Sequence, residues 1–207
     1  MEVISDAFNI NGDKIDVLYV GTDEEKFLSA EGKSKDSSNK LFTVFTYSSF
    51  LPLHGMDVIA EAAKIVEEKL GKNKIKFLLV GGKGRENSEE YTRFKELIQR
   101  EEVASIEHKK WLEYSKFEEI IQEADLCLGG PFGTTKQAGR VITGKTYQFI
   151  ASGKPTVIGK IEEEVGFVDG RNSFLVERDN PELLAEIIIK AYNHKDLKRL
   201  GKEARKL

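Results

Sequence analysis

Cysteine is nearly missing from this chain: among 207 residues Cys127 is the only one. That excludes an internal disulfide, and a lone cysteine inside the apolar run Leu126-Cys127-Leu128 reads as a core residue. An excess of charge of one sign is also absent. The formal net charge is −3 and no Lys/Arg block stands out, so the chain carries no electrostatic footprint for nucleic acid. No apolar run is long enough to span a bilayer, and the N-terminus lacks a signal-peptide pattern. The expectation is a soluble, cytoplasmic protein. The three histidines, His54, His108 and His194, are scattered, and no Asp/His/Cys cluster has metal-ligand spacing. No tightly bound metal is expected. There is no internal repeat, and the one biased stretch is the polar segment Glu31 to Lys40, read as a linker.

What is present is apolar periodicity. Hydrophobic residues make up 40% of the chain, enough for one sizeable core. A short apolar piece, Ile15 to Val20, precedes the linker. After it, Leu41–Tyr47, Ile75–Val80, Leu126–Leu128, Thr156–Ile158 and Asn172–Val176 read as strands, with Ser105–Trp111 a weaker one. Helices are predicted over Met56–Leu70, after a Ser88 cap, and after a Ser115 cap. A fourth runs from near Val141 or Thr143 to a stop at Gly153, with Tyr147, Ile150 and Ala151 on one face. A fifth starts at Asn180-Pro181, and a last one covers Asp196–Leu207. This alternation predicts an α/β fold: a Rossmann-like parallel sheet with helices on both faces. A segment over 1–40 would precede a domain over 41–207.

In such a sheet a ligand sits beyond the carboxyl ends of the strands. The loops Ser48–Gly55, Gly81–Asn87, Trp111–Ser115 and Gly129–Gly144 should meet there. The stretch Phe132 to Pro155 is glycine-rich and basic, with Lys136, Arg140 and Lys145, and leads into a helix. A helix N-terminus reached through such a loop favours an anion. A dinucleotide oxidoreductase is disfavoured, because Ser48–Gly55 holds a single glycine and no Gly-x-Gly-x-x-Gly.

Several stretches carry a resemblance. FLPLHGMDVIAEAAKIV, FLLVGGKG, EADLCLGG followed by ASGKPTVIG, and VDGRNSFLVERDNPELLAEII occur in the order found in GT-B glycosyltransferases. The chain resembles the C-terminal, nucleotide-sugar-binding half of glycosyltransferase family 4 (glycosyl transferases group 1). YVGTDEEKF resembles the segment that joins the two halves. The resemblance implies a retaining transfer of sugar from a UDP-, GDP- or ADP-sugar to a glycan, lipid or small-molecule acceptor. It also implies that an N-terminal acceptor-binding domain is missing from this chain. Membrane association, at an inner face, would come only through that half or the acceptor. A non-catalytic nucleotide-binding or regulatory module, or a sugar-nucleotide epimerase, are the alternatives.

The resemblance also assigns residues. The family's first loop carries an Arg and a Lys for the donor diphosphate; matched on Gly55, these positions hold Ser49 and His54. His54 can donate a hydrogen bond, or carry charge at lower pH. Two glutamates eight positions apart are usual in the signature region; Arg140 and Gln148 stand there. Gln148 can reach a ribose hydroxyl without charge assistance. Arg140 cannot do the first glutamate's work. The catalytic help to a departing diphosphate therefore falls to Arg140 and Lys145, with the N–H groups of Thr143 and Gly144. Gly82 and Lys83 either approach the nucleotide or form a plain turn. Trp111 and Leu112 lie where the base-contacting segment is expected, or Trp111 is core.

Overall fold

The structure, a computed structural model, describes residues 2–16, 20–23, 25, 27, 41–163 and 165–207. Its centre is a sheet of six strands: β1 (Phe42–Ser48), β2 (Ile75–Gly81), β3 (Ile106–Lys109), β4 (Leu126–Leu128), β5 (Thr156–Gly159) and β6 (Phe174–Val176). All pairings are parallel and the order is β3-β2-β1-β4-β5-β6. The helices are α1 (Glu2–Phe8), α2 (Met56–Leu70), α3 (Glu89–Arg100), α4 (Phe117–Glu123), α5 (Gly144–Ala151), α6 (Pro181–Tyr192) and α7 (Leu197–Ala204).

Side chains along a strand alternate between faces, so a strand covered on both sides must be apolar throughout. Val44, Phe77, Leu79, Leu126 and Leu128 point to a core shared with α2, α3 and α6. Phe45, Leu78, Val80 and Cys127 point to a second core with Phe117 and Ile121 of α4 and Phe149 of α5. Cys127 is fully buried, and burial pushes its thiol up to about 12, so it is an inert core residue. α2 is flanked by Gly55 and Gly71, both in positive φ, which glycine adopts without a Cβ penalty.

The Rossmann-like reading holds, with local corrections. The β3 strand is shorter than Ser105–Trp111, and its residues are only partly covered. Ser115 caps nothing. It lies inside a 3-10 turn, Tyr114–Lys116, that opens after Glu113 and runs straight into α4. The buried face of α5 carries Lys145, Thr146, Phe149 and Ile150, and Tyr147 lies partly exposed to one side. Asn172 and Ser173 precede β6 rather than form it, because the Asn172 side chain accepts from Val168 N and donates to Gly166 O. The linker 31–40 and residues 17–19 of the Ile15–Val20 piece lie outside the described residues. Phe27, ahead of the linker, is fully buried in the second core. No helix among the described residues is long and apolar enough to cross a membrane.

Candidate functional site

β1 and β4 are neighbours, yet the chains leaving them part. β1 leads to α2 on one face of the sheet and β4 leads to α5 on the other. That reversal of strand order opens a crevice at the carboxyl edge, where doubly wound folds bind ligands. The two loops also touch across it. Gly133 N donates to Leu53 O at 3.0 Å. A Cβ at Gly133 would fall 2.1 Å from Pro52 O, and one at Gly55 2.7 Å from Phe132 C. The glycines are there because backbone meets backbone.

His54 closes the β1 loop. Its Nδ1 accepts from Leu51 N at 3.3 Å and lies 2.8 Å from Ser48 Oγ. Ser48 Oγ in turn accepts from Phe50 N at 2.9 Å. With Nδ1 accepting a backbone N–H, the ring proton sits on Nε2, so the ring presents an N–H donor and no charge. Burial, helped by nearby Lys145, lowers the imidazole to about 3. Of the two roles read from the sequence, an N–H donor or a charge at lower pH, this geometry favours the neutral donor. A histidine held below its unfolded value binds fewer protons folded than unfolded, so its contribution is present above the ordinary value near 6.5 and lost as pH falls toward 3. Imidazole NMR should therefore show one neutral Nε2–H tautomer across about pH 5–8. A ring that titrates near the ordinary histidine value would contradict the geometry.

Lys145 forms the other wall. It is 4% exposed, in the first turn of α5, and its Nζ donates to Tyr47 O at 3.0 Å. Burial pulls its ammonium down to about 7. Thr143, the residue before α5, does not cap the helix. Its hydroxyl donates to Gly129 O at 2.6 Å and sits 3.0 Å from Thr146 Oγ1. The first-turn N–H groups, which no helix satisfies internally, thus lack a side-chain cap from Thr143. Gln148 lies one turn on and accepts through Oε1 from Tyr47 O–H at 2.6 Å. Burial raises the Tyr47 phenol well above its ordinary range, with Tyr114 adding to it, so this hydroxyl stays a donor.

The other predicted residues scatter around this pair. Ser49 is exposed between two buried neighbours. Arg140 reaches outward to Glu162, with Nε 3.2 Å from Oε2, and both side chains are about half exposed. Gly82 is buried at positive φ, where a Cβ would come within 2.4 Å of the Tyr91 ring, so packing alone requires glycine there. Lys83 Nζ lies 4.6 Å from the centre of the Trp111 ring. Trp111 is 55% exposed, so it is no core residue, whereas Leu112 packs partly buried against the second core. Ser48, Tyr47, Thr146 and Arg178 escaped the sequence reading. Arg178 is half-buried beside Gly139, where a Cβ would be 3.0 Å from Nη2 and 2.9 Å from Glu162 Oε1. A shallow depression lined by Lys64, Glu67, Lys72, Glu101 and Val103 lies at the far end of α2, away from this edge.

The doubly wound parallel sheet, with Lys145 and His54 beside its switch point, places the chain in the Rossmann-like class of α/β domains. The model of the family described as glycosyl transferases group 1 matches residues 42–194. The chain belongs to that family. Among solved structures, a glycosyltransferase from Rickettsia africae is similar at TM-score 0.78 and 20% identity, covering 99% of this chain and 55% of its own. Anabaena Alr3699/HepE, solved with UDP-glucose, is similar at TM-score 0.75 and 16% identity, over 95% of this chain and 53% of its own. The C-terminal domain of the group 1 glycosyl transferase LpcC from Francisella tularensis is similar at 0.67 and 14%, over 90% of this chain and 95% of that domain. At these identities the likeness is one of fold. The chain spans about half the length of the first two. No curated protein matches it.

Proposed function

We propose that this chain is the donor-binding half of a retaining GT-B glycosyltransferase. It takes a nucleoside diphosphate sugar in the crevice between the β1 and β4 loops. One observation carries the reading: Lys145 and the start of α5 face His54 across the switch point of the sheet. In this reading the diphosphate lies against the first-turn N–H groups of α5, with the His54 Nε2–H and Lys145 as further donors. Those groups stabilise negative charge as the nucleotide departs. Gln148, its carbonyl occupied by Tyr47, offers its amide N–H groups to a ribose hydroxyl. Trp111 and Lys83 form the rim nearest the base.

Arg140 has a weaker claim in this scheme, since it already has Glu162. A half-exposed pair is worth only about 0–1 kcal/mol, so a diphosphate could draw Arg140 away. The acceptor site belongs to the remainder of a GT-B enzyme. Residues 1–40 act as the segment joining the halves, and residues 41–207 as the donor domain. This chain alone should then bind donor but barely transfer it.

Calorimetric titration with UDP, GDP and ADP and their sugars tests the reading. At least one should bind. Lys145→Met should weaken that binding by roughly ten- to a hundredfold, the worth of a charged hydrogen bond. Unchanged affinity in both Lys145→Ala and Arg140→Ala would remove the diphosphate assignment. The commitments of Arg140 to Glu162 and Gln148 to Tyr47 favour, as a second reading, a non-catalytic module of the same fold. Failure of all three nucleotides to bind would point that way.

A further inference from the structure

Among the described residues, the Lys145 side chain is placed unlike the other cations. It is almost wholly buried, and the acceptor it reaches is a single backbone carbonyl, Tyr47 O. No carboxylate is paired with it among the described residues. The titratable groups beside it are His54 from the β1 loop and Tyr47 from β1; Tyr147, two residues on in its own helix, lies partly exposed to one side. His54 is held neutral, Tyr47 gives its hydroxyl to Gln148, and burial raises the Tyr147 phenol. On the β4 side Arg140 is engaged by Glu162, and Cys127 is an inert thiol. An ammonium carries three donors, and one acceptor leaves two of them unmet in a buried place. The positive end of the α5 dipole opposes a further positive charge in the first turn.

We propose that Lys145 makes nucleoside diphosphate binding at this crevice a proton-uptake event: the amine is uncharged beforehand and takes one proton from solvent to Nζ as the anion arrives. This rests on the donor-site reading above. The diphosphate supplies what the buried side chain lacks, a counter-charge and acceptor oxygens. The depression of the lysine to about 7 agrees with an amine that is mostly neutral in mildly alkaline solution. An opposite charge within a few ångström returns such a group to its charged form. Donor affinity is then set by pH as well as by concentration, and the nucleotide binds more weakly as the medium becomes alkaline.

The test is calorimetry with UDP, then GDP and ADP, at about pH 8 in phosphate and in Tris, which differ in ionisation enthalpy. Wild type should take up most of one proton per nucleotide. Above about pH 8 its affinity should fall roughly tenfold per pH unit. Lys145→Met should bind weakly with no proton uptake and a flat pH profile. Should that variant fold poorly, 13C NMR of lysine side chains in the wild type gives a second measurement. One lysine should titrate near neutrality and move upward when nucleotide is added. Binding with a flat profile in wild type, uptake persisting in Lys145→Met, or no lysine titrating below about pH 9 overturns the proton uptake while leaving the donor site standing. If none of the three nucleotides binds, the donor site itself is overturned and the uptake with it.

Discussion

Lys145→Met is expected to make this protein more stable while it makes the donor crevice less effective. Unfolded, the lysine is charged up to its ordinary value near 10.4. Folded, it is pulled down to about 7. The folded state therefore binds fewer protons between these values, and stability rises with pH across that window. At neutral pH and below, the buried side chain costs several kcal/mol. Methionine fills the same length of pocket without that cost, although Tyr47 O loses its donor. The net gain at pH 7 should be roughly 1–3 kcal/mol. Urea unfolding at about pH 7 and 10 reads it. Wild type should gain stability between the two relative to the variant, which itself declines as the buried Cys127 thiol and Tyr47 phenol resist ionising. A variant less stable than wild type at pH 7 would mean that Lys145 is held by more than one carbonyl.

Gly133→Ala should have the opposite effect on stability and a comparable effect on binding. The added Cβ would stand 2.1 Å from Pro52 O and 3.1 Å from Leu53 C, both backbone atoms that no rotamer change can move. The hydrogen bond from Gly133 N to Leu53 O would break as the loops separate. A cost of roughly 2–4 kcal/mol follows from such overpacking. His54 lies next to Leu53, so its ring would lose its aim at the same time. Gly144→Ala is the contrast, since nothing lies within 4 Å of that Cβ and alanine favours a helix. It should unfold at a urea concentration equal to or above that of wild type. If Gly133→Ala unfolds like wild type, the two loops do not meet as described.

The sheet was legible because parallel strands buried on both faces spell themselves as apolar runs. Phe42–Ser48 and Ile75–Gly81 could hardly be anything else. Gly55 and Gly71 marked the bounds of α2 for the same local reason, their positive φ. The Ser115 cap failed because capping is decided by the backbone path. The chain had already entered a 3-10 turn at Tyr114. Lys145 was read from the sequence as a candidate site residue, and its burial was not foreseen. The signal was present: it stands four residues before Phe149, hence on the same buried face of α5. A lysine there reads by default as a surface charge, and its acceptor, Tyr47 O, is 98 residues away. Long-range partners of this kind, Tyr47 with Gln148 and Arg140 with Glu162, leave no pattern in a single sequence.

Phe27 gives the domain a different edge from the one its sheet suggests. The ring is wedged beside Phe45, Phe117 and Phe149, and residues 28–40 connect it to β1. Part of the second core is thus supplied from ahead of the polar segment. A chain trimmed to start at Leu41 would keep every strand and still leave a phenyl-sized gap under α4 and α5. That phenyl ring therefore helps to fill the face of the sheet that also carries Lys145.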